Sequence, residues 1–208
     1  MIEKLLIANR GEIAIRIARS AAEAGIASVA VYSEDDANAL HIRKTDAAHA
    51  LKGTGAAAYL DAPQIIAAAK QTGCDAIHPG YGFLSENADF AKACTDAGLI
   101  FVGPTAQTLA LFGDKAQARA QAKKCGVAVL PGTQGPTSLD DTIQFLRSLG
   151  DGGAIMLKAL AGGGGHGMRV VRAESELAGA YERCASEARA AFGNGDLYAE
   201  QFFAHARH

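Results

Sequence analysis

Several residue types are scarce in this chain of 208 residues, and each scarcity argues against a class of function. Tryptophan is absent and aromatic residues make up 6% of the sequence, which disfavours a surface built to stack nucleic-acid bases. The 20 basic and 22 acidic side chains leave a formal charge of −2, so no positive excess favours nucleic acid or an acidic membrane. No stretch approaches the roughly 18 apolar residues of a membrane span, and residues 1–7 are typical of a strand rather than a signal peptide.

Cysteine and histidine are few and scattered. The four cysteines are too far apart for a C-x-x-C metal or redox motif, and the six histidines never show H-x-x-x-H spacing. A metal site built from these residues is therefore disfavoured, and we expect reduced thiols in a soluble cytoplasmic protein. The cysteines are Cys74, Cys94, Cys125 and Cys184.

Hydrophobic residues make up 49% of the chain, enough for a sizeable core in one or two domains. In the first half, short apolar strands alternate with helices that end at glycines such as Gly25 and Gly73. This alternation predicts a parallel sheet covered by helices on both faces. The predicted strands are 5–8, 28–32, 75–78 and 99–102, and the predicted helices are 12–24, 61–71 and 86–97.

The pattern changes after Gly103 and Pro104, where two helices follow each other and Asp114 is a suitable N-cap for the second. A small unit then begins near Pro131, in which a strand–loop–strand segment lies between two helices. This order predicts a compact α+β module. The predicted elements are helices at 106–112, 114–124, 139–149 and 174–190, and a closing strand at 197–202.

The most informative segment of this second unit is a glycine loop between two strand-like runs, 155–157 and 168–171. Four consecutive glycines follow shortly after Lys158. Glycine amides approach a ligand closely and adopt positive φ at little cost, and a lysine beside them adds a point charge. The segment therefore predicts a nucleotide-phosphate clamp on a β-hairpin. A flexible connector is the alternative, but the strand-like flanks favour the clamp.

The two common phosphate-binding fingerprints are absent from the sequence. Walker A requires G-x-x-x-x-G-K-[ST] at the start of a helix, and no such string occurs. The dinucleotide fingerprint requires G-x-G-x-x-G after a strand, whereas residues 9–14 contain a single glycine. A nucleotide would therefore bind by a different arrangement.

Two polar segments, 9–12 and 78–83, follow predicted strands and so belong at the carboxyl ends of the sheet, where ligands of such sheets bind. They are candidates for one shared site. A purely structural role is the alternative for both segments. Arg10 and Glu12 would then form a turn and the start of a helix, and His78 and Tyr81 would belong to a turn that needs glycine.

Strings along the whole chain resemble the biotin carboxylase component of biotin-dependent acyl-CoA and pyruvate carboxylases, in the ATP-grasp superfamily. Their common order makes coincidence negligible. The matching residues are 6–14 (LIANRGEIA), 76–87 (AIHPGYGFLSEN), 101–104 (FVGP), 113–115 (GDK), the glycine hairpin and 206–208 (ARH).

The resemblance implies an α/β fold with a parallel-sheet, Rossmann-like N-terminal domain. An α+β ATP-grasp lid subdomain follows, and the C-terminal part of the ATP-grasp fold is absent. The implied domains are 1–113 (N-terminal αβ domain), 114–130 (helical connector), 131–203 (lid) and 204–208 (truncated start of the C-terminal domain).

The resemblance also assigns ATP-binding residues. Two lysines match those that contact the nucleotide phosphates, and two loop glycines match those that fold over the β- and γ-phosphates. Residues 200–203 match the hinge strand that contacts the adenine edge and the ribose, and the final histidine contacts the nucleotide where the lid ends. The residues so assigned are Lys115, Lys158, Gly164, Gly165, Glu200, Gln201, Phe202, Phe203 and His208.

In that family ATP phosphorylates bicarbonate, and the resulting carboxyphosphate yields CO2 that is added to N1 of the biotin ureido ring. The resemblance thus implies an ATP-dependent C–N-forming ligase of the acyl-CoA carboxylase type, connected with fatty acid biosynthesis. ATP and Mg2+ are the implied cofactors, and biotin is the carried substrate. A biotin carboxyl carrier protein and a carboxyltransferase are the implied partners, and the full-length family member would be a homodimer.

The catalytic residues are not assigned, because the magnesium carboxylates, the bicarbonate base and the biotin-site arginine of the family belong to a portion that these strings do not reach. We therefore expect the 208 residues alone to be inactive. Two other functions compete. Carbamoyl-phosphate synthase also activates bicarbonate with ATP, but it lacks strings 8–12 and 78–83 in these forms. A non-catalytic binding or assembly module would retain both units without the metal carboxylates.

Overall fold

The computed structural model describes residues 1–160 and 167–205. Two compact units divide the chain, Met1–Gly113 and Asp114–His208, and each contains a hydrophobic core of its own. Three residues assigned to the nucleotide site from the sequence, Gly164, Gly165 and His208, lie outside the described residues. None of the helices within the described ranges is long and apolar enough to cross a membrane.

The unit Met1–Gly113 is an α/β fold, as predicted. Its strands are β1 (Lys4–Ile7), β2 (Ala27–Tyr32), β3 (Ala47–Ala50), β4 (Ala76–His78) and β5 (Ile100–Phe101). Its helices are α1 (Gly11–Glu23), α2 (Gly55–Tyr59), α3 (Ala62–Gln71), α4 (Ala88–Asp96) and α5 (Ala106–Gly113). The strands are all parallel, in the order β3-β2-β1-β4-β5, so the order reverses between β1 and β4.

The central strand β1 contributes to a core on each face of the sheet, because successive side chains of a strand point to opposite faces. Leu6 belongs to the core that contains residues of α3 and α4. Leu5 and Ile7 belong to the opposite core, where they pack with Ile17 and Ala21 of α1. Burial on both faces confirms the covered parallel sheet that the sequence predicts.

Helix α1 begins one residue earlier than predicted, at Gly11, and ends at Glu23. Its buried residues recur at helical spacing on one face, which is the amphipathic pattern of a helix that covers a sheet. Gly25 has a φ of 70°, which favours glycine and ends the helix as predicted. The buried residues are Ala14, Ile17, Ala18 and Ala21.

The sequence predictions miss the elements between β2 and α3, and they place the start of α4 two residues too early. Strand β3 has the sequence AAHA and three exposed residues, so it lacks the alternation that identifies a strand. Helix α2 has only five residues, too few for a helical period to appear. Helix α4 begins at Ala88 rather than Glu86, because the Asn87 side chain caps it by accepting the Phe90 amide hydrogen at 2.7 Å.

The unit Asp114–His208 is an α+β module. It contains α6 (Lys115–Lys124), α7 (Leu139–Ser148), β6 (Ile155–Ala159), β7 (Met168–Val171), α8 (Glu174–Phe192) and β8 (Leu197–Gln201). The strands form an antiparallel sheet in the order β7-β6-β8, and β6 and β7 form the predicted hairpin. One face of this sheet packs against α7 and α8, where Ile155, Leu157 and Leu197 are fully or almost fully buried.

The outer edge of β8 is covered by the backbone of residues 131–137. The Thr133 and Thr137 amides donate to the carbonyls of Ala199 and Leu197, each at 2.9 Å, and the Gln201 amide donates to Pro131 O at 2.8 Å. Buried backbone groups need such partners, so this segment fixes β8 in place. It thereby fixes the strand that carries Glu200.

Candidate functional site

Charged side chains gather on the face of the small sheet that lies opposite its core. Ile155, Leu157 and Ala159 of β6 point into the core, so Lys158 points to the other face. Tyr198 lies directly across from Lys158 in the pairing of β6 with β8. Glu200 is two residues further along β8 and therefore shares the face of Lys158 and Tyr198.

Glu200 is the centre of this cluster, and its side chain is only 9% exposed. One carboxylate oxygen, Oε2, accepts from Lys158 Nζ at 2.5 Å. The other, Oε1, accepts from Arg119 Nη1 at 2.8 Å and from the Tyr198 hydroxyl at 3.2 Å. Three donors, two of them cationic, offset the cost of burying the carboxylate.

Sequence reasoning missed Arg119. It lies on α6, whose N-terminus is fixed by Asp114: the Asp114 carboxylate accepts the amide hydrogens of Ala116 and Gln117 at 2.9 and 3.0 Å. The guanidinium also donates to Leu130 O at 2.7 Å, and the side chain is 15% exposed. Lys115 and Arg119 are four residues apart on one helix, so they share a face, and this spacing is the signal that could have identified Arg119.

Lys115 is the third cation of the same unit. Its Nζ donates to Leu160 O at 3.4 Å, next to the start of the glycine loop. Burial lowers the pKa of Lys115, and the positive charge of Lys158 lowers it further, whereas Glu200 opposes both effects. The structure therefore brings Lys115, Lys158 and Glu200 into one electrostatic cluster, although they are far apart in sequence.

The cluster also raises the pKa of the Tyr198 phenol. Burial is the larger cause, and the adjacent Glu200 charge and hydrogen bond add to it. Tyr198 therefore stays neutral and donates its hydroxyl hydrogen at physiological pH.

The other described candidates follow Glu200 along the chain. Gln201 is the last residue of β8. The Phe202 amide donates to Ala154 O at 2.8 Å, and its ring lies 5.0 Å from the Arg172 guanidinium carbon, within reach of a cation–π interaction. Phe203 is 49% exposed, so much of its apolar ring is accessible to solvent.

The carboxyl ends of β1 and β4 form a second polar cluster, in the unit Met1–Gly113. Asn9 is almost fully buried, and its amide nitrogen donates to Pro79 O at 2.7 Å and to Tyr81 O at 2.8 Å. The Tyr81 hydroxyl donates to Glu12 Oε1 at 2.7 Å. The two polar segments identified in the sequence therefore meet where the strand order reverses, which is the usual ligand position in such sheets.

Replacing Gly80 with alanine tests how tightly this second cluster is built. Gly80 has a φ of +65°, and an added Cβ would lie 2.8 Å from Asn9 Nδ2. We expect a loss of about 1–3 kcal/mol in unfolding free energy, measured by urea denaturation, from backbone strain and displacement of Asn9. Gly82→Ala is the matched control, because it has a similar φ but no atom within 4 Å of the added Cβ. Equal losses in the two variants would contradict a role for the Asn9 contacts.

The charged face of the small sheet suits a polyphosphate better than a metal ion. Residues 1–160 and 167–205 contain no group of three or more histidine, cysteine or acidic side chains that could hold a metal. Glu200 already binds two cationic groups through both oxygens. These residues do not fit a magnesium ion by themselves, whereas an anion would find three cationic side chains, Lys115, Arg119 and Lys158.

Comparison with known families decides the classification. The family model for the biotin carboxylase N-terminal domain matches residues 1–109, more than half of the chain. This chain belongs to the biotin carboxylase family. The model for the ATP-binding domain of the carbamoyl-phosphate synthase L chain matches residues 114–208, as a shared ATP-grasp unit would.

Relatives and solved structures agree with the biotin carboxylase classification. Pyruvate carboxylase of Bacillus subtilis is 50% identical over all of this chain, which spans 18% of that relative. The acyl-coenzyme A carboxylase alpha3 subunit of Mycobacterium leprae is 47% identical, and the chain spans 35% of it. The chain thus covers about a fifth to a third of these relatives.

Two solved structures have closely similar folds. A biotin carboxylase–β,γ-ATP complex from Campylobacter jejuni has a TM-score of 0.93 at 41% identity, over 98% of this chain and 46% of that one. The biotin carboxylase domain dimer of Hydrogenobacter thermophilus 2-oxoglutarate carboxylase, with MgADP, ADP and bicarbonate, has a TM-score of 0.92 at 41% identity. It covers 98% of this chain and 45% of that one.

Proposed function

We propose that this chain is an ATP-binding N-terminal portion of a biotin carboxylase. Within the whole protein it would help ATP and bicarbonate to carboxylate biotin on a carrier protein. The cluster of Lys115, Arg119 and Lys158 around the buried Glu200 is the observation that carries the proposal. Lys115, Arg119 and Lys158 carry three positive charges, and Glu200 and Asp114 carry two negative charges, so a positive charge remains near Leu160. A nucleotide triphosphate is a polyanion that such a positive excess attracts.

We assign the parts of the site as follows. Lys115 and Lys158 neutralise phosphate oxygens, and the amides of Gly164 and Gly165 cover the β- and γ-phosphates. Residues 200–203 line the base and the ribose, with the exposed ring of Phe203 supplying apolar surface, and His208 completes the site. In phosphoryl transfer, positioning and charge neutralisation provide most of the catalysis, so these groups suit that step.

The wider assembly follows from the same proposal. Mg2+ would reach the site with the nucleotide, through residues other than those described. A biotin carboxyl carrier protein and a carboxyltransferase would be the partners, and the full-length protein would be a homodimer. The relatives include pyruvate and acyl-CoA carboxylases, so we propose the biotin-carboxylating step that both share, with fatty acid biosynthesis as one setting. A cytoplasmic location is part of the same proposal, and the four free cysteines of the chain support it.

Calorimetric titration with ATP, ADP and AMP in the presence of Mg2+ tests the proposal. We expect ATP to bind, and AMP to bind much more weakly, because the cationic cluster recognises the phosphates beyond the first. A non-catalytic assembly module would give no heat with any of the three nucleotides, and that result would overturn the proposal.

The lowered pKa of Lys115 predicts how ATP affinity depends on pH. The protonated lysine attracts phosphate, so affinity is full below its pKa and declines as pH rises through it. Because burial and Lys158 lower this pKa, the decline should begin below the ordinary lysine value of about 10.4. Titrations between about pH 7 and 10 should show the decline, and Lys115→Arg should shift it to higher pH, since arginine stays charged. The same profile in both proteins would contradict a role for Lys115.

A further inference from the structure

Two cationic side chains share one buried carboxylate in the unit Asp114–His208. Glu200 accepts from Lys158 through Oε2 and from Arg119 through Oε1. Its side chain is 9% exposed, and those of Arg119 and Lys158 are 15% and 26% exposed. An ion pair of Lys158 with Glu200 alone would have no net charge. With Arg119 the group of three carries +1, so a positive charge remains on this face.

Arg119 is held more firmly than an ordinary surface arginine. Its Nη2 donates to Leu130 O at 2.7 Å while its Nη1 binds Glu200. Gly132 leaves just enough room for this arrangement, since an added Cβ would lie 3.0 Å from Arg119 Nη2 and 3.2 Å from Glu200 Cγ. A guanidinium with two fixed partners loses little further entropy when a ligand binds nearby.

Lys158 is the member of the cluster that can leave the carboxylate. It is the more exposed of the two cations, it follows an apolar strand run, and the glycine loop begins shortly after it. If Lys158 moved to a phosphate, Glu200 would keep Arg119 and Tyr198 as partners and would not be left as a buried, uncompensated charge. Without Arg119, the same movement would leave Glu200 with the Tyr198 hydroxyl as its hydrogen-bond partner among the described residues, and with Lys115 as a nearby charge.

We propose that Arg119 is a positioning residue that holds Glu200 and so releases the charge of Lys158 to an incoming polyphosphate. The inference rests on the proposed nucleotide site and adds a residue to it. Arg119 contacts no phosphate in this arrangement; it acts through Glu200. Arg119 should therefore affect the affinity for the multiply charged phosphate chain and not the affinity for the base or the ribose.

The test compares ATP and AMP binding by calorimetry in the wild-type chain and four variants. Arg119→Gln removes the shared cation, and we expect ATP affinity to fall about tenfold while AMP affinity changes less than about twofold. Arg119→Lys keeps the charge and should recover most of the ATP affinity. The double variant Arg119→Gln/Glu200→Gln removes one positive and one negative charge together, so it should also recover most of the affinity. Arg147→Gln, at an exposed pair with Glu174, is the matched control and should match wild type.

Failure of the nucleotide site and failure of the proposed role of Arg119 would give different results. Wild-type chain that binds no ATP would overturn the proposed site and the inference with it. Wild-type chain that binds ATP, with Arg119→Gln weakening ATP and AMP equally, would show a general structural role and overturn the inference alone. A double variant as weak as Arg119→Gln would show that Arg119 contacts the ligand itself, which also overturns it. Should Arg119→Gln fail to fold, Arg119→Lys and the double variant still test the inference, because the first keeps a cation beside Glu200 and the second removes the carboxylate together with Arg119. Loss of most of the ATP affinity in either variant would overturn it.

Discussion

Replacing Glu200 with leucine is expected to destabilise the unit Asp114–His208 by about 3–5 kcal/mol, because it leaves the partly buried Arg119 and Lys158 without their shared carboxylate. A domain of this size has only about 5–15 kcal/mol of stability, so the unit would be close to unfolding. The loss would appear in urea denaturation followed by circular dichroism, and as faster hydrogen exchange at the amides of β6 and β8. The amides of β1 and β4, in the other unit, should exchange at unchanged rates.

The matched control for Glu200 is Glu174→Leu, which breaks the ion pair with Arg147. Both side chains of that pair are far more exposed, 45% for Glu174 and 66% for Arg147. Exposed pairs contribute about 0–1 kcal/mol, so the control should cost little. If both leucine variants lost the same stability, burial of the Glu200 cluster would not be the cause.

Replacing Lys158 with methionine is expected to lower ATP affinity by about 10- to 100-fold, the usual effect of losing a charge-assisted hydrogen bond to phosphate. The fold should survive, because Glu200 keeps Arg119 and Tyr198 as partners and methionine retains the length of the apolar stem. Calorimetric titration with ATP measures the loss, and urea denaturation of the same sample confirms that the protein is folded.

Lys124→Met is the control for this loss. Lys124 lies at the exposed end of α6, in the same unit, so its substitution removes the same charge away from the cluster. It should leave ATP affinity within about twofold of wild type, since exposed charges are screened over about 10 Å. If the two methionine variants bound ATP equally well, Lys158 would have no special place in the nucleotide site.

The parts of the fold that could be predicted are those in which one local pattern determines one element. The apolar runs of β1, β2 and β4 and the glycine after α1 are unambiguous, and so is the Asp61 cap, whose carboxylate accepts the Gln64 amide hydrogen at 3.0 Å. Strand β3 could not be predicted, because its alanines carry no alternation and it forms only by pairing with β2. Its existence depends on tertiary contacts rather than on local propensity.

The residues of the candidate site also differ in whether the sequence alone could identify them. Lys158 could be identified because it stands between an apolar strand and a glycine run, both visible in the sequence. The pairing of Arg119 with Glu200 could not, because 81 residues separate them and the contact forms only when the fold brings α6 next to β8. Family resemblance supplied Lys115 and Glu200 but gave no indication of Arg119.

The two separate hydrophobic cores have an evolutionary consequence. The boundary between the compact units falls after Gly113, and the matched family models also change between residues 109 and 114. A segment with its own core can be inherited, duplicated or joined to a new neighbour without having to repack. Each core can therefore adjust to substitutions in its own interior, and the two halves of this chain can diverge at different rates.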